Sequence, residues 1–200
     1  MRTFITYYLP VYFILFFGVA FFWRSFQVYR VTGINPYRLK EKAGPEKITG
    51  NYFRFLPILS LIVVFVYAVF PEYYSLFGPI EWLNHSTVKA VGILLMTISL
   101  VWTCVAQQQM GRSWRIGIDH EHATTLVMQG IFTLSRNPIF FGLIVNATGF
   151  FLVLPNALTM LILALNIALI QVQVSLEEVY LQDLHGEDYR QYCEKVRRWI

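Results

Sequence analysis

Charged residues are scarce in this chain. Asp, Glu, Lys and Arg make up 14% of its 200 residues, against about 25% in an ordinary soluble domain. The apolar residues, 56% of the total, come in long runs rather than in amphipathic repeats, and the mean hydropathy is +0.50. The shortage of charge argues against a soluble domain and predicts a protein embedded in a lipid bilayer.

Cysteine is also scarce, with two residues in the chain. Cys104 lies inside an apolar run and Cys193 in a charged tail, so the pair predicts neither a disulfide framework nor a metal site. No glycine-rich phosphate loop follows a strand-like segment, which argues against a Rossmann-type cofactor domain. The first apolar run lacks a small-residue cleavage site and is too long for a signal peptide, so we expect a retained span.

Basic modules with interleaved aromatic residues, as nucleic-acid binding requires, are absent from the sequence. The sequence pI is about 9.1, and attraction to anionic lipid is the simpler explanation of that excess of basic charge. Membrane lipid is therefore the expected partner, and nucleic acid is not.

Five apolar segments are long enough, or nearly long enough, to cross a bilayer, which requires roughly 20 residues in a helix. They run from about Ile5 to Trp23, Phe53 to Phe70, Val88 to Ala106, Ile139 to Leu154 and Ala157 to Val174. Only Pro155-Asn156 separates the last two, which predicts a tight helical hairpin with slightly short arms. The predicted fold class is all-α, an integral membrane bundle of about five transmembrane helices.

The basic residues predict the orientation of these spans. Of the 16 Lys and Arg residues, all but Arg2 and Lys89 follow span one, three or five. They are Arg24, Arg30, Arg38, Lys40, Lys42, Lys47, Arg54, Arg112, Arg115, Arg136, Arg190, Lys195, Arg197 and Arg198. We therefore expect the N-terminus outside, and both large loops and the C-terminal tail in the cytoplasm.

The stretch from Gly111 to Gly142 is too long for a simple connection and predicts an ordered loop over the cytoplasmic membrane face. Near its end, Asn137 is a suitable N-cap and Pro138 a suitable first residue for the fourth span. Free N–H groups at that helix start, with Arg136 beside them, would favour an anion such as a carboxylate. A capped membrane helix with an arginine on the cytoplasmic side explains the same pattern, so both interpretations stay open.

Span five carries polar residues at membrane depth. Asn166, Gln173 and Glu177 are spaced by seven and four, which places them on one helical face, with Glu178 about 100° round the helix. Such residues tend to face a cavity or a partner. The carboxylate could hold a cationic group of a ligand, or the Glu pair could be solvated by headgroup water or bridged to Arg136.

The run Asp119-His120-Glu121-His122 contains possible metal ligands. Residues two apart share a face only in an extended strand, and no third histidine lies near in the sequence. A solvated loop is the favoured interpretation, and we expect no metal.

The same segments together resemble the isoprenylcysteine carboxyl methyltransferase and phospholipid methyltransferase superfamily of membrane enzymes. The superfamily pattern is His-x-Leu-Val, Gly-x-Tyr, Arg-His-Pro-x-Tyr-x-Gly, a helical hairpin, and Glu-Glu ahead of Gly-Glu-x-Tyr. The counterparts here are Thr124-Thr125-Leu126-Val127, Gly130-Ile131-Phe132, Arg136-Asn137-Pro138-Ile139-Phe140-Phe141-Gly142, Glu177-Glu178 and Gly186-Glu187-Asp188-Tyr189. The resemblance covers roughly Gly111 to Ile200. It divides the chain into an N-terminal transmembrane region, 1–110, and a methyltransferase core, 111–200, with a cytoplasmic cofactor-binding loop, the hairpin and a C-terminal helix.

The resemblance implies S-adenosylmethionine as cofactor, S-adenosylhomocysteine as its product, and a lipidic or hydrophobic methyl acceptor. The implied cofactor-binding residues are Thr124, Thr125, Leu126, Val127, Phe132, Asn137, Pro138, Ile139, Phe140, Glu177 and Glu178. Arg136, Asn137 and Glu177 are the implied catalytic residues, and Gln173, Asn146 and Asn166 the implied substrate residues. The short form is similar to compact prokaryotic members, which implies a prokaryotic cytoplasmic membrane.

The chain departs from the superfamily pattern at five positions. Thr124 and Asn137 replace histidines, Phe132 and Phe140 replace tyrosines, and Gln173 replaces an arginine near the substrate carboxylate. A neutral amide pairs with a carboxylate less well than arginine does, which disfavours a prenylcysteine acceptor. We expect an amphipathic acceptor to arrive laterally from the lipid, between spans that carry Asn146 and Asn166.

Several functions remain open at this point. The favoured one is a membrane methyltransferase acting on a lipidic or small hydrophobic acceptor, with a phospholipid amine or a thiol as alternatives to prenylcysteine. A reductase of the sterol-reductase type, using NADPH, is disfavoured because its Asn-Tyr-x-Gly-Glu continuation is absent. A non-catalytic relative that kept the fold is the third possibility.

Overall fold

The computed structural model describes residues 1–38 and 44–200. Lys40 and Lys42, two of the basic residues behind the predicted orientation, lie outside the described residues. Within those ranges the chain forms helices, with no strand beyond two isolated bridges. The α-helices are α1 (Arg2–Phe16), α2 (Arg24–Thr32), α3 (Pro45–Val69), α4 (Ser86–Met110), α5 (Pro138–Val153), α6 (Ala157–His185) and α7 (Glu187–Lys195).

Four helices of the described chain are long and apolar enough to cross a membrane. They are Arg2–Thr32, Pro45–Val69, Ser86–Ser113 and Ala157–His185. The fifth apolar helix, α5, has 16 residues and is therefore about 24 Å long, shorter than a hydrocarbon core of about 30 Å. The predicted all-α membrane bundle is confirmed, and its fourth span is short, as the sequence predicted.

The first helix runs further than the sequence predicted. It continues from α1 through a π-helical segment, Phe17–Trp23, into α2, and ends at Gly33, whose φ is +67°. The prediction that Arg24 and Arg30 lie in a loop is therefore wrong. Between Trp23 and Gly33 no residue is a proline or has a left-handed backbone, so the chain has no local reason to leave the helix at Trp23.

Two other helices extend beyond the apolar spans that the sequence predicted. Helix α3 begins at Pro45, in the first turn where proline is well tolerated, rather than at Phe53. Helix α6 continues beyond Val174 to His185 and ends at Gly186, the next residue that favours a break. Glu177 and Glu178 therefore belong to a continuous helix.

Helices α4 and α5 approach each other closely at Gly92 and Gly149. A Cβ added to Gly92 would lie 2.7 Å from the Gly149 carbonyl oxygen, and one added to Gly149 would lie 2.7 Å from the Gly92 carbonyl oxygen. Small residues allow such close backbone approach between membrane helices. The Trp102 Nε1–H also donates to the Pro138 carbonyl oxygen at 2.8 Å. Helix α4 therefore holds the start of α5 in place.

The predicted hairpin between α5 and α6 is present. The Asn156 side chain accepts a hydrogen bond from the Thr159 backbone N–H at 2.9 Å, and the Asn156 N–H donates to the Thr159 hydroxyl at 3.2 Å. This reciprocal capping box satisfies two N–H groups at the start of α6. The turn is therefore sharp and well defined.

The hydrophobic core lies toward the hairpin turn. Its buried residues include Leu9 and Phe13 of α1, Val63 of α3, Val153 of α5 and Ile162 of α6. The opposite end of the bundle, where residues 111–137 connect α4 to α5, is called the loop end below. The helices separate toward the loop end, and the spaces between them there form the candidate site.

Candidate active site

The connection between α4 and α5 is ordered by hydrogen bonds at both ends. The Ser113 hydroxyl donates to the Thr125 carbonyl oxygen at 3.0 Å. The Ile131 N–H donates to Gln109 Oε1 at 2.8 Å, beside Gly130, whose φ is +62°. These bonds hold the segment 124–133 against the end of α4, as an ordered loop over the bundle requires.

Asp119 joins this loop to two other parts of the chain. Its side chain is 1% exposed and lies 3.1 Å from Arg115 Nε and 3.2 Å from Arg38 Nε. The Tyr180 hydroxyl of α6 donates to the Asp119 carbonyl oxygen at 2.7 Å. Burial acts to raise the pKa of Asp119, but hydrogen bonds from Arg115, His122 and the Glu121 N–H, with the charge of Arg38, hold that pKa below its ordinary value. The predicted solvated loop is therefore wrong for Asp119.

Asp119, Glu121 and His122 bring possible metal-ligand atoms within 4.8 Å of one another. The Arg38 guanidinium already bonds all three side chains, with Nη1 2.8 Å from Glu121 Oε2 and Nη2 3.0 Å from His122 Nδ1. A cation would have to displace this arginine. The cluster is an ion-pair network that attaches residues 34–38 to the loop.

A pocket of about 100 Å³, called the small pocket, lies between the loop and the starts of α5 and α7. It brings together ten of the eleven predicted cofactor-binding residues, and the predicted catalytic Arg136 lines it as well. They are Thr124, Thr125, Leu126, Val127, Phe132, Arg136, Asn137, Pro138, Ile139, Phe140 and Glu177. Residues far apart in sequence, such as Thr124 and Glu177, therefore meet in one place.

The remaining walls of the small pocket were not predicted as site residues. They are Met110, Ser113, Leu181, Tyr189 and Tyr192. Burial raises the pKa of Tyr192 to about 12, so its hydroxyl stays protonated and donates to the Phe132 carbonyl oxygen at 2.6 Å. Tyr189 stands in the Gly-Glu-Asp-Tyr motif, and Tyr192 follows it by three residues on the same face of α7. The motif position of Tyr189 and the three-residue spacing to Tyr192 could have identified both tyrosines as site residues from the sequence.

Asn137 precedes α5 as predicted, but it does not cap the helix with its side chain. Its Nδ2 donates to the Arg198 carbonyl oxygen at 3.4 Å, and its own N–H donates to the Ser135 hydroxyl at 3.1 Å. The C-terminal tail competes for the amide, so the predicted side-chain cap is wrong. The first residue of α5 is Pro138, as predicted.

Glu178 does not line the small pocket. Its Oε1 lies 3.2 Å from Arg136 Nη2 and accepts from Arg198 Nε at 3.1 Å, and its Oε2 pairs with Arg198 Nη2. The bridge to Arg136 is the alternative that the sequence left open. Because Glu178 is turned away from Glu177 around α6, it binds the tail and leaves Glu177 facing the pocket.

A second, much larger cavity of about 1360 Å³ lies beside the small pocket. Aromatic residues of the first helix form much of its wall, including Phe13, Phe17, Phe21 and Phe26. It is called the large cavity below. Its size and apolar wall are suited to a lipidic group.

The three predicted substrate residues all line the large cavity. Asn146 Oδ1 accepts from the Tyr12 hydroxyl at 2.6 Å, and Asn166 Nδ2 donates to the Ile162 carbonyl oxygen at 3.0 Å. Gln173 is 3% exposed, donates from Nε2 to Glu177 Oε1 at 2.9 Å, and accepts from the Thr49 hydroxyl at 2.9 Å. All three side chains thus already have partners within the protein.

Four residues line both spaces: Met110, Ile139, Phe140 and Glu177. Glu177 forms no ion pair with any of the residues that the structure describes, and its Oε1 accepts a hydrogen bond from Gln173 Nε2. A half-buried carboxylate without a cation is costly unless a ligand supplies one. The arrangement can hold a cationic ligand at Glu177 and bring an apolar molecule to it from the other side.

Comparisons with known proteins identify the family of the chain. A sequence model of the family described as phospholipid methyltransferase matches residues 87–188. A probable protein-S-isoprenylcysteine O-methyltransferase of Oryza sativa subsp. indica is 29% identical over 112 residues, 54% of this chain and 59% of that protein, and the japonica protein matches equally. An uncharacterized protein of Haemophilus influenzae is 50% identical over 30 residues, 15% of this chain and 48% of that protein.

The chain thus spans about three fifths of the length of the rice relatives. No solved structure matches it. The family match covers more than half of the chain, from the start of α4 into α7, and it includes most of the small pocket. The chain therefore belongs to the phospholipid methyltransferase family.

Proposed function

We propose that this chain is an integral membrane methyltransferase that uses S-adenosylmethionine and methylates a lipidic or hydrophobic acceptor. The observation that carries the proposal is the position of Glu177. This carboxylate forms no ion pair with the described residues, and it lies where a small pocket lined by the family motif meets a large apolar cavity. In this proposal the loop end faces the cytoplasm, where the cofactor is available.

The residues of the small pocket fit the parts of S-adenosylmethionine. Leu126, Val127 and Phe132 offer an apolar wall for the adenine ring. Arg136 and the free N–H groups in the first turn of α5 suit its carboxylate, and Glu177 suits its ammonium. At about 100 Å³ the small pocket holds only part of such a ligand, so the ligand must extend to the junction with the large cavity.

When bound, the cofactor would supply an electrophilic methyl group on a sulfonium sulfur. The chain would contribute orientation, since holding the donor and the acceptor in line supplies much of the rate of such a transfer. Phe140 and Ile139 would separate the polar pocket from the acceptor except at the junction and limit access of water. A carboxylate or thiolate acceptor would need no general base.

The acceptor would occupy the large cavity, which is wide enough for an acyl or prenyl chain. Asn146 and Asn166 would be the polar residues along its path from the bilayer. Replacing both with Leu should lower methyl transfer to a membrane lipid extract. Unchanged transfer would contradict this route while leaving the cofactor site intact.

Calorimetry on the detergent-purified protein tests the cofactor assignment directly. S-adenosylhomocysteine should bind and NADPH should not. Glu177→Ala should weaken the binding of S-adenosylhomocysteine by about a hundredfold, the effect of losing a charge-assisted hydrogen bond at a desolvated site. Glu72→Ala, which removes an exposed carboxylate at the opposite end of the bundle, is the matched control. Equal binding by Glu177→Ala and the parent would contradict the proposal, and binding of NADPH alone would favour a reductase.

A further inference from the structure

A chain of hydrogen bonds connects α3 to the carboxylate at the junction. The Thr49 hydroxyl donates to Gln173 Oε1 at 2.9 Å, and Gln173 Nε2 donates to Glu177 Oε1 at 2.9 Å. Thr49 is 2% exposed and Gln173 3% exposed, so water does not readily replace either bond. Thr49 also lies outside the residues 87–188 that match the family.

The donor-to-acceptor direction of these two hydrogen bonds follows from the chemistry of the groups that form them. An ionised carboxylate can only accept, so the Gln173 amide must turn its NH₂ group toward Glu177. The amide oxygen then points away from Glu177, into a buried position that needs a donor. The Thr49 hydroxyl provides the donor. Its single proton has one competing acceptor, the Glu46 carbonyl oxygen at 3.1 Å.

Glu177 needs such support because it has no cation to orient it among the described residues. Gln173 lies one turn before it on α6, at the four-residue spacing that brings side chains together. Without the amide, the carboxylate could rotate into the large cavity, which it also lines. With the amide held by Thr49, one carboxylate oxygen is fixed and the other is directed to the ligand.

We infer that Thr49 and Gln173 are positioning residues that orient Glu177 toward the ammonium of the bound cofactor. The inference rests on the proposed function, and it gives Gln173 a role on the cofactor side instead of the predicted contact with substrate. Both polar ends of its amide are already engaged by the protein. Specificity for the ammonium would then depend on a helix that the family motif does not contain.

The test compares two ligands across a small set of variants. Calorimetry measures S-adenosylhomocysteine and its analogue in which a hydrogen replaces the α-amino group. Thr49→Val should weaken the binding of S-adenosylhomocysteine roughly tenfold, the ratio expected when one oriented, buried hydrogen bond is lost. It should change the affinity for the analogue less than about twofold. Thr49→Ser keeps the hydroxyl and should bind both ligands like the parent.

A second variant breaks the same link from its other end. Gln173→Met keeps the volume and removes the amide, and should show the same selective loss. Combining it with Thr49→Val should add nothing, because residues that act through one another are not additive. Thr148→Val is the matched control, since within the described part of the chain the Thr148 hydroxyl bonds its own helix, at the Ile144 carbonyl oxygen.

Equal weakening of both ligands by Thr49→Val and Gln173→Met would overturn the inference, because that is the effect of a general structural role. Unchanged binding of both ligands by both variants would overturn it as well. These outcomes are distinct from failure of the proposed function, which Glu177→Ala decides. If Glu177→Ala no longer binds S-adenosylhomocysteine while Thr49→Val and Gln173→Met bind it like the parent, the proposed cofactor site is supported and the inference alone fails.

Discussion

The small pocket and the large cavity meet at Glu177, yet different parts of the chain build them. Every residue that lines the small pocket lies between Met110 and Tyr192. About half of the large cavity's lining comes from residues 13–60, on the first helix, the segment after it and α3. The family match, residues 87–188, therefore includes most of the lining of the small pocket but only about half of the lining of the large cavity.

The two spaces also differ in size and in the character of their walls. Both walls are mainly apolar, but the small pocket brings Arg136 and Glu177 together within about 100 Å³, whereas the large cavity, of about 1360 Å³, has many aromatic side chains of the first helix in its wall. If the small pocket binds the methyl donor as proposed, the family motif carries information about the donor. The proposed acceptor cavity depends in part on helices outside the family match, so a relative's acceptor does not transfer to this chain with the motif.

The largest expected effect is a loss of methyl transfer on substitution of Gly18, which lines the large cavity but not the small pocket. This residue lines the large cavity, and a Cβ built on it meets no atom within 4 Å. Gly18→Phe should therefore fold and fill part of the cavity. Methyl transfer from labelled S-adenosylmethionine to a membrane lipid extract should fall on the order of a hundredfold, because the ring and the acceptor compete for the same volume.

The same variant should bind S-adenosylhomocysteine with the affinity of the parent. Ile14→Phe adds an aromatic ring to an exposed position of the same helix and serves as its control, with transfer unchanged. Loss of S-adenosylhomocysteine binding in Gly18→Phe would show that the two spaces are not independent. Unchanged transfer would remove the large cavity as the acceptor site.

A smaller effect is expected at Tyr192, where a substitution should weaken cofactor binding and leave the acceptor unaffected. Tyr192→Phe removes the donor to the Phe132 carbonyl oxygen and leaves a buried acceptor unsatisfied. The wall formed by Phe132 should loosen, and S-adenosylhomocysteine should bind about tenfold more weakly. The KM for the lipid acceptor should stay the same. A change confined to the acceptor would reverse the assignment of the two spaces.

The smallest effect concerns the ion-pair network around Asp119, which attaches residues 34–38 to the loop. The lowered pKa of Asp119 means that the ionised form favours the folded state. This contribution is present above the ordinary pKa of 3.8 and is lost as the pH falls through the lower folded value. The melting temperature in detergent should therefore drop between about pH 5 and pH 2.

Asp119→Asn isolates this contribution. The variant should melt at a lower temperature near neutral pH, because Arg38 and Arg115 lose their charged partner. Its melting temperature should also fall less on acidification than that of the parent. An equal fall in both proteins would assign the acid sensitivity to other carboxylates.

The parts of the fold that follow from composition and local signals could be predicted from the sequence. Long apolar runs predicted the membrane bundle, and Pro155-Asn156 predicted the hairpin. The first helix was predicted to end too early, because the polar residues from Arg24 to Thr32 continue it, whereas the spacing of Gln173 and Glu177 correctly predicted a helix through Glu177. Polarity marks where a helix leaves the apolar layer, but a residue such as Gly33 or Gly186 marks where it stops.

Within the candidate site, the residues that the motif names could be predicted and their partners could not. Ten of the proposed cofactor residues line one pocket, because the motif retains their order along the chain. The Glu178 bond to Arg198 and the Asn137 bond to the tail depend on where residues 196–198 return. Neither periodicity nor composition encodes such long-range contacts.

The most direct test of the two-space arrangement is an experimental structure of the protein with S-adenosylhomocysteine bound. The account predicts the adenine against Leu126 and Phe132, the ammonium in contact with the Glu177 carboxylate, and the sulfur facing the large cavity beside Phe140. A ligand located wholly within the large cavity, or an ammonium out of contact with Glu177, would contradict it.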